Sequence, residues 1–287
     1  MESKKQQKRE AFQDAWRTKR SVTLVYILLR ASVILVMLAQ IFNRNFENVF
    51  LCVLTLFLFM VPSMLERKLD IALPNTLEII ILLFIYAAEI MGEIGAYYVT
   101  FPYWDTVLHT LNGFLCAAIG FSLLDILNRD ERLAFKLSPV YLAVVAFCFS
   151  MTIGVLWEFF EFSMDFFLGT DMQRDTVVHA IHSSALDVTR SNKVVTIPDI
   201  QDVVINGQSL GLGGYLDIGI IDTMKDLFVN FIGAVVFSVT GFFYARSKGA
   251  KRTPAQSFVP SKKTEEQDYL RQAEEHLDAP PEDRQAP

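Results

Sequence analysis

The chain has 287 residues, of which 52% are hydrophobic and 20% charged, with 24 Phe and a net charge of -6. That balance argues against a soluble globule and for an integral membrane protein. The basic residues gather beside apolar segments, where they set topology, so nucleic acid is not an expected partner and the lipid bilayer is.

Taken in chain order, residues 1–20 form a basic arm with Lys4, Lys5, Lys8, Arg9, Arg17, Lys19 and Arg20. A spanning helix needs about 20 mostly apolar residues. Six segments meet that length, at about 21–42, 46–65, 73–98, 104–127, 139–165 and 222–244. The first carries Arg30 and lacks a small-residue cleavage site, so it reads as a span and not as a cleaved leader. Cys52, Cys116 and Cys148 fall inside apolar segments and read as small packing residues. Glu78 and Asp125 lie near the inner ends of their segments, where interfacial water suffices to solvate them.

Cations follow segments two, four and six: Arg67 and Lys68, then Arg129, Arg132 and Lys136, then Arg246, Lys248, Lys251 and Arg252. The alternate connections hold only Arg44, or none over 99–103. The positive-inside rule then places both termini in the cytoplasm of a multi-pass plasma-membrane protein. The expected fold is all-α: a six-helix transmembrane domain over 21–244 and a cytoplasmic, mostly disordered tail over 245–287. A long structured outer loop, 166–221, separates helices five and six. Within it, Gln173 to Thr189 is expected as a short helix, Lys193 to Ile205 as strand, and Asn206-Gly207 as a tight turn. A further short helix is expected at 261–277 in the tail.

The outer ends of four segments are acidic. Positions three or four apart share a helix face. Asp105 and His109 therefore form one stripe, Glu158, Glu161 and Asp165 a second, Asp222, Asp226 and Asn230 a third, and Glu89 and Glu93 a fourth. Ionised groups in a bilayer cost about 2.5–3.5 kcal/mol each on insertion scales, so such a cluster needs compensation. A divalent metal ion, shared protons, or neutralisation by Arg30, Arg174 or Lys225 would each serve. In the metal reading, Glu158, Glu161, Asp222 and Asp226 hold the ion. Asp105 and His109 form the catalytic acid/base pair, with Glu89, Glu93 and Asn230 around them. Simpler roles exist beside these. Asp105 and Asp222 fit as helix N-caps, and His109 as a structural histidine. Trp104 and Trp157 fit an interfacial belt, and His179 and His182 a plain loop. Gly113, Gly120, Gly154 and Gly233 suit close helix packing.

The run Tyr103-Trp104-Asp105-Thr106-Val107-Leu108-His109 with Gly113, then Leu156-Trp157-Glu158-Phe159-Phe160-Glu161, then Asp222-Thr223-Met224-Lys225-Asp226 with Asn230 and Gly233, resembles the YjdF-like family of bacterial membrane proteins. A looser likeness is to VanZ-like proteins, which are associated with glycopeptide tolerance and the cell envelope. There the second motif reads Glu-x-x-Gln in place of Glu-x-x-Glu, and the outer loop is shorter. The resemblance implies a bacterial membrane protein with an envelope or lipid-linked ligand. Three function classes follow from the residues: a metal-dependent enzyme on an envelope substrate, a cation- or proton-coupled transporter, and a non-catalytic binding module. The apolar inner halves of segments four to six disfavour the transporter.

Overall fold

A computed structural model describes residues 19–68, 71–129, 136–247 and 254–262. The chain is mostly helical. Helix α1 spans Arg20–Phe42, α2 Phe46–Leu58 and α3 Val61–Lys68, the last two being separated by a two-residue irregularity. Helix α4, Asn75–Tyr86, runs into a π-helical segment, Ala87–Ile94, followed by the single turn α5, Tyr97–Thr100. Three long helices complete the bundle: α6 over Trp104–Arg129, α7 over Pro139–Leu168 and α8 over Ile220–Arg246.

Among the described residues, five helical stretches are long and apolar enough to cross a membrane: Arg20–Phe42, Phe46–Lys68, Trp104–Asn128, Pro139–Leu168 and Ile220–Arg246. The third expected segment differs, because its second half leaves α geometry. There Gly92 admits the ring of Tyr98, which would lie 2.3 Å from any Cβ at that position. The Trp104 indole N–H donates to the Ala87 carbonyl at the start of the π segment. A 3.6-residue period cannot reveal such a local unwinding.

The bundle is inverted relative to a soluble protein. Leu24, Leu35, Phe50, Val107, Phe159, Phe228 and Val236 are exposed, whereas Glu158, Asp226 and Asn230 are buried. An apolar belt of this extent on long helices is a lipid-facing surface. Two cores result. Val33, Cys52, Phe59 and Leu82 join α1, α2 and α4, and Ala117, Phe121, Ala146, Ala234 and Phe237 join α6, α7 and α8. The second contains small residues because its backbones touch. A Cβ on Gly113 would meet the Asn230 carbonyl at 2.1 Å, and one on Gly233 the Thr110 carbonyl at 2.0 Å. Close contact between backbones replaces hydrophobic burial as the driving force for helix association in lipid.

The segment between α7 and α8 contains no α-helix at 173–189, only a 3-10 turn at Ser184–Leu186. Val177–Val178 (β2) pairs with Tyr215–Leu216 (β7), and Ile181–Ser183 (β3) pairs with Val195–Ile197 (β4). The β-branched pair favours strand. Asp187 captures the backbone N–H groups of Thr189, Ser191 and Lys193, closing a turn where the expected helix would end. Val204–Ile205 (β5) and Gln208–Ser209 (β6) form the expected hairpin, with Asn206 and Gly207 both at positive φ.

At the other end Glu78 is not left to water. Lys19 Nζ lies 2.8 Å from Glu66 and 3.1 Å from Glu78. Residues 254–262 of the tail are also ordered by contact. Ala255 and Val259 are buried, the Phe258 ring meets Phe114, and Ser261–Lys262 (β8) pairs with Ile71–Ala72 (β1). The rest of the basic arm and tail, with most of the helix expected at 261–277, lies outside the described residues, as do Arg132, Lys248, Lys251 and Arg252. Replacing Gly113 by Ala should force α6 from α8 and destabilise the protein by about 1–3 kcal/mol, as overpacking does. The check is its thermal midpoint in detergent beside lipid-facing Val107→Ala, which should leave that midpoint unchanged.

Candidate functional site

Three helices bring the acidic stripes together. Helix α7 starts at Ser138, whose hydroxyl accepts the Tyr141 N–H, with Pro139 in the first turn. It ends at Gly169 in the left-handed conformation. Glu158 and Glu161 lie in its C-terminal half and are buried. Asp105 sits in the first turn of α6, one turn above His109. Helix α8 starts from Gly219, so Asp222 is not its cap, and Asp222, Asp226 and Asn230 follow on one buried face.

The crossing of these helices is set at Asn230, 1% exposed. Its backbone fills the notch at Gly113, and its amide nitrogen would stand 2.6 Å from a Cβ on Gly154. Asn112 donates to its side-chain oxygen at 3.2 Å. Ser150 on α7 donates to the Gly113 carbonyl at 2.7 Å, closing the third contact.

Directly above, His109 is surrounded. Its Nε2 is 3.5 Å from Asp105 Oδ1 and 4.0 Å from Asp226 Oδ2, and its Nδ1 is 3.9 Å from Glu158 Oε1. Two sets of potential ligand atoms lie within 4.8 Å of one another: Asp105, His109 and Asp226, and His109, Glu158 and Glu161. Two buried carboxylate oxygens, Glu158 Oε2 and Asp226 Oδ1, have no hydrogen-bond partner among the described residues. Orphaned buried carboxylate oxygens are uncommon, because desolvation is then uncompensated. With its mix of carboxylates and one imidazole, the donor set fits a divalent cation.

The other expected site residues fall around this centre. Asp222 belongs to neither set. It accepts the Arg174 backbone N–H at 3.1 Å and lies 3.7 Å from Lys225. Asp165 faces the loop, accepting from Thr170, Met172 and Gln173, each at 2.7 Å. Glu89 and Glu93 lie on the π segment, and Glu93 is within electrostatic reach of Arg174 and Asp105. Arg30 does not serve the cluster; its guanidinium stacks on Tyr26 at 4.3 Å. His179 and His182 bond within the loop, to the Ile200 carbonyl and the Thr196 hydroxyl.

Several participants escaped the sequence reading. Trp157 donates to Glu161 at 2.9 Å while remaining 43% exposed, an i,i+4 pairing that its spacing could have signalled. Asn112, one turn below His109, was equally visible by spacing. Gln173, which donates to Thr223 at 2.6 Å, carried no such signal. Gln173 and Arg174 roof the cluster, since the Arg174 guanidinium also donates to the Tyr98 carbonyl at 2.7 Å.

A family model described as "Predicted membrane protein (DUF2238)" matches residues 24–247, in agreement with the YjdF-like resemblance. No curated protein and no solved structure matches the chain.

The roof is anchored by Asp217. Burial pushes this carboxyl upward, but the N–H groups of Thr176, Ile221 and Gly219 outweigh it and hold it below its usual range. A depressed carboxyl contributes stability above its unfolded value of about 3.9, and that contribution is lost as pH falls through the folded value. Protection of the amides across 174–178 and 217–221, read as the ratio of intrinsic to observed exchange rate, should therefore be high at neutral pH and fall in acid below about pH 4. In Asp217→Asn it should already be low at pH 7.

Proposed function

The chain belongs to the family of predicted membrane proteins matched over residues 24–247, and on that premise we propose that it is a plasma-membrane protein whose outward end holds a divalent metal ion for chemistry on an envelope or lipid-linked substrate. The supporting observation is the ring of Asp105, Glu158, Glu161 and Asp226 around His109. No Arg or Lys pairs with any of these four carboxylates among the described residues. At about 4 Å, two like charges repel by roughly 4 kcal/mol even at an effective dielectric of 20, so the ring calls for a counter-charge.

In this reading Asn75–Ile94 is the sixth span, and both termini are cytoplasmic. Arg67, Lys68 and Arg246 on the inner side support that orientation, as does the paucity of cations at the opposite ends. His109 serves better as a ligand than as the acid/base group, because both ring nitrogens face carboxylates. A bound ion would supply Lewis-acid polarisation of a phosphoryl or carbonyl oxygen and acidify a water. The protein's own residues would orient the ligands: Trp157 holds Glu161, and Asp222 with Arg174 and Gln173 shields the centre from bulk water. Trp157 is exposed on the apolar belt and bonded to Glu161, which leaves that carboxylate one side chain from the bilayer. This proximity supports a substrate presented from the lipid. A continuous route to the other side is disfavoured by Ala117, Phe121, Ala234 and Phe237, packed beneath Asn230.

Ligand binding raises stability by RT ln(1 + [L]/Kd), about 2.7 kcal/mol at a hundredfold excess over Kd. Chelation should therefore lower the thermal midpoint of the purified protein by several degrees, and divalent metal should restore it. Glu161→Gln should start lower and respond less to both. A wild-type midpoint indifferent to chelator would refute the metal reading. Orientation is checked separately by cysteine labelling in a background lacking Cys52, Cys116 and Cys148. A cysteine at Tyr103 should react with an impermeant thiol reagent in intact cells, and one at Lys68 should not.

A further inference from the structure

The ring of carboxylates is not one ligand set but two, divided by the imidazole. Glu158 stands on the Nδ1 side of His109, with Glu161 completing its set, and Asp105 and Asp226 stand on the Nε2 side. The two sets have only His109 in common. Each contains one buried oxygen without a hydrogen-bond partner: Glu158 Oε2 in the first and Asp226 Oδ1 in the second. Glu158 is 4% and Asp226 1% exposed, so water does not compensate either oxygen from the surface.

The separations bear on whether a carboxylate holds the His109 ring. A histidine oriented by a carboxylate donates its N–H at about 2.7–2.9 Å, as charge-assisted bonds do. Here the nitrogen–oxygen distances are 3.5, 3.9 and 4.0 Å, and all exceed that range. Ligand atoms bound at about 2.0–2.2 Å to a common ion sit about 3–4 Å from one another. The spacing on both sides of the ring is that of atoms around a cation. Had His109 used one nitrogen for a metal and the other for an orienting carboxylate, one side would be short and the other long.

From this we infer that the site takes two cations, one on each side of His109, with the imidazole bridging them. The inference rests on the proposal that the cluster binds metal at all. It also selects the metal class. A bridging imidazole must release its remaining ring proton to solvent as the second ion binds, and ions with affinity for nitrogen, such as zinc or copper, favour that exchange more than calcium or magnesium. Asp222 stays outside both sets, held by Arg174 and Lys225, and acts as a positioning residue for the roof.

The test is metal stoichiometry of the full-length protein in detergent, stripped with chelator and titrated with Zn2+. Wild type should bind two ions per chain. Asp226→Asn and Glu161→Gln should each bind one, and His109→Ala should bind fewer than two. Loading with Cu2+ gives a second readout that needs no variant. The electron paramagnetic signal should grow up to one equivalent and then fall per copper as the second ion couples to the first through the ring. One ion per wild-type chain, with a copper signal that never falls, overturns the two-cation inference and leaves the metal proposal standing. No bound ion overturns both. Loss of all metal in both Asp226→Asn and Glu161→Gln, with unchanged elution as a monodisperse species, would mean a single shared ion and would also overturn the inference.

Discussion

The contact on which the structure depends is the backbone approach of α6, α7 and α8 at Asn230. Lipid removes most of the hydrophobic advantage of packing one apolar helix against another, so close van der Waals contact and interhelical hydrogen bonds must hold them. Gly113, Gly154 and Gly233 remove the side chains that would hold the helices apart. Asn112 and Ser150 then tie the crossing with polar bonds to the Asn230 side chain and the Gly113 carbonyl. Asp226 sits one turn above Asn230 on α8, Glu158 one turn above Gly154 on α7, and His109 one turn above Gly113 on α6. The glycine contacts therefore position the titratable groups as well as the helices.

Everything above that crossing is organised by charge. Carboxylates dominate the centre, while the nearest cations are turned to the periphery, Lys225 to Asp222 and Arg174 to Tyr98. The loop between α7 and α8 reads as a surface cap from its exposed strands, but its first residues are structural parts of the site. Asp165 holds Met172 and Gln173, and Asp217 holds Thr176, so the roof is pinned from α7 and from the residues that lead into α8. The π segment adds a fourth wall, with Glu93 within electrostatic reach of Arg174.

At the opposite end the bundle is closed by other means. Lys19 bridges Glu66 and Glu78. Residues 254–262 contact α4 and α8, placing Val259 and the Phe258 ring within the core. Compositional reasoning takes the whole tail as solvated because its far end is charged and Pro-rich. The short apolar stretch Phe258-Val259 is too brief to outweigh that average, yet long enough to fill a crevice between two helix groups.

The hydrophobic runs themselves determined where the long helices lie, because roughly 20 apolar residues have few stable conformations in lipid other than helix. The i,i+4 spacing likewise determined which acids share a face, and the glycines marked the close crossings. Tertiary structure alone decided how those faces combine. It moved Asp222 and Asp165 out to the roof, placed His109 between two carboxylate pairs, and converted 173–189 from an expected helix to strands. Each of these depends on rotation of one helix about its axis relative to another, or on a partner distant in sequence, such as Tyr215–Leu216 for Val177–Val178. Periodicity along one segment carries no information about either.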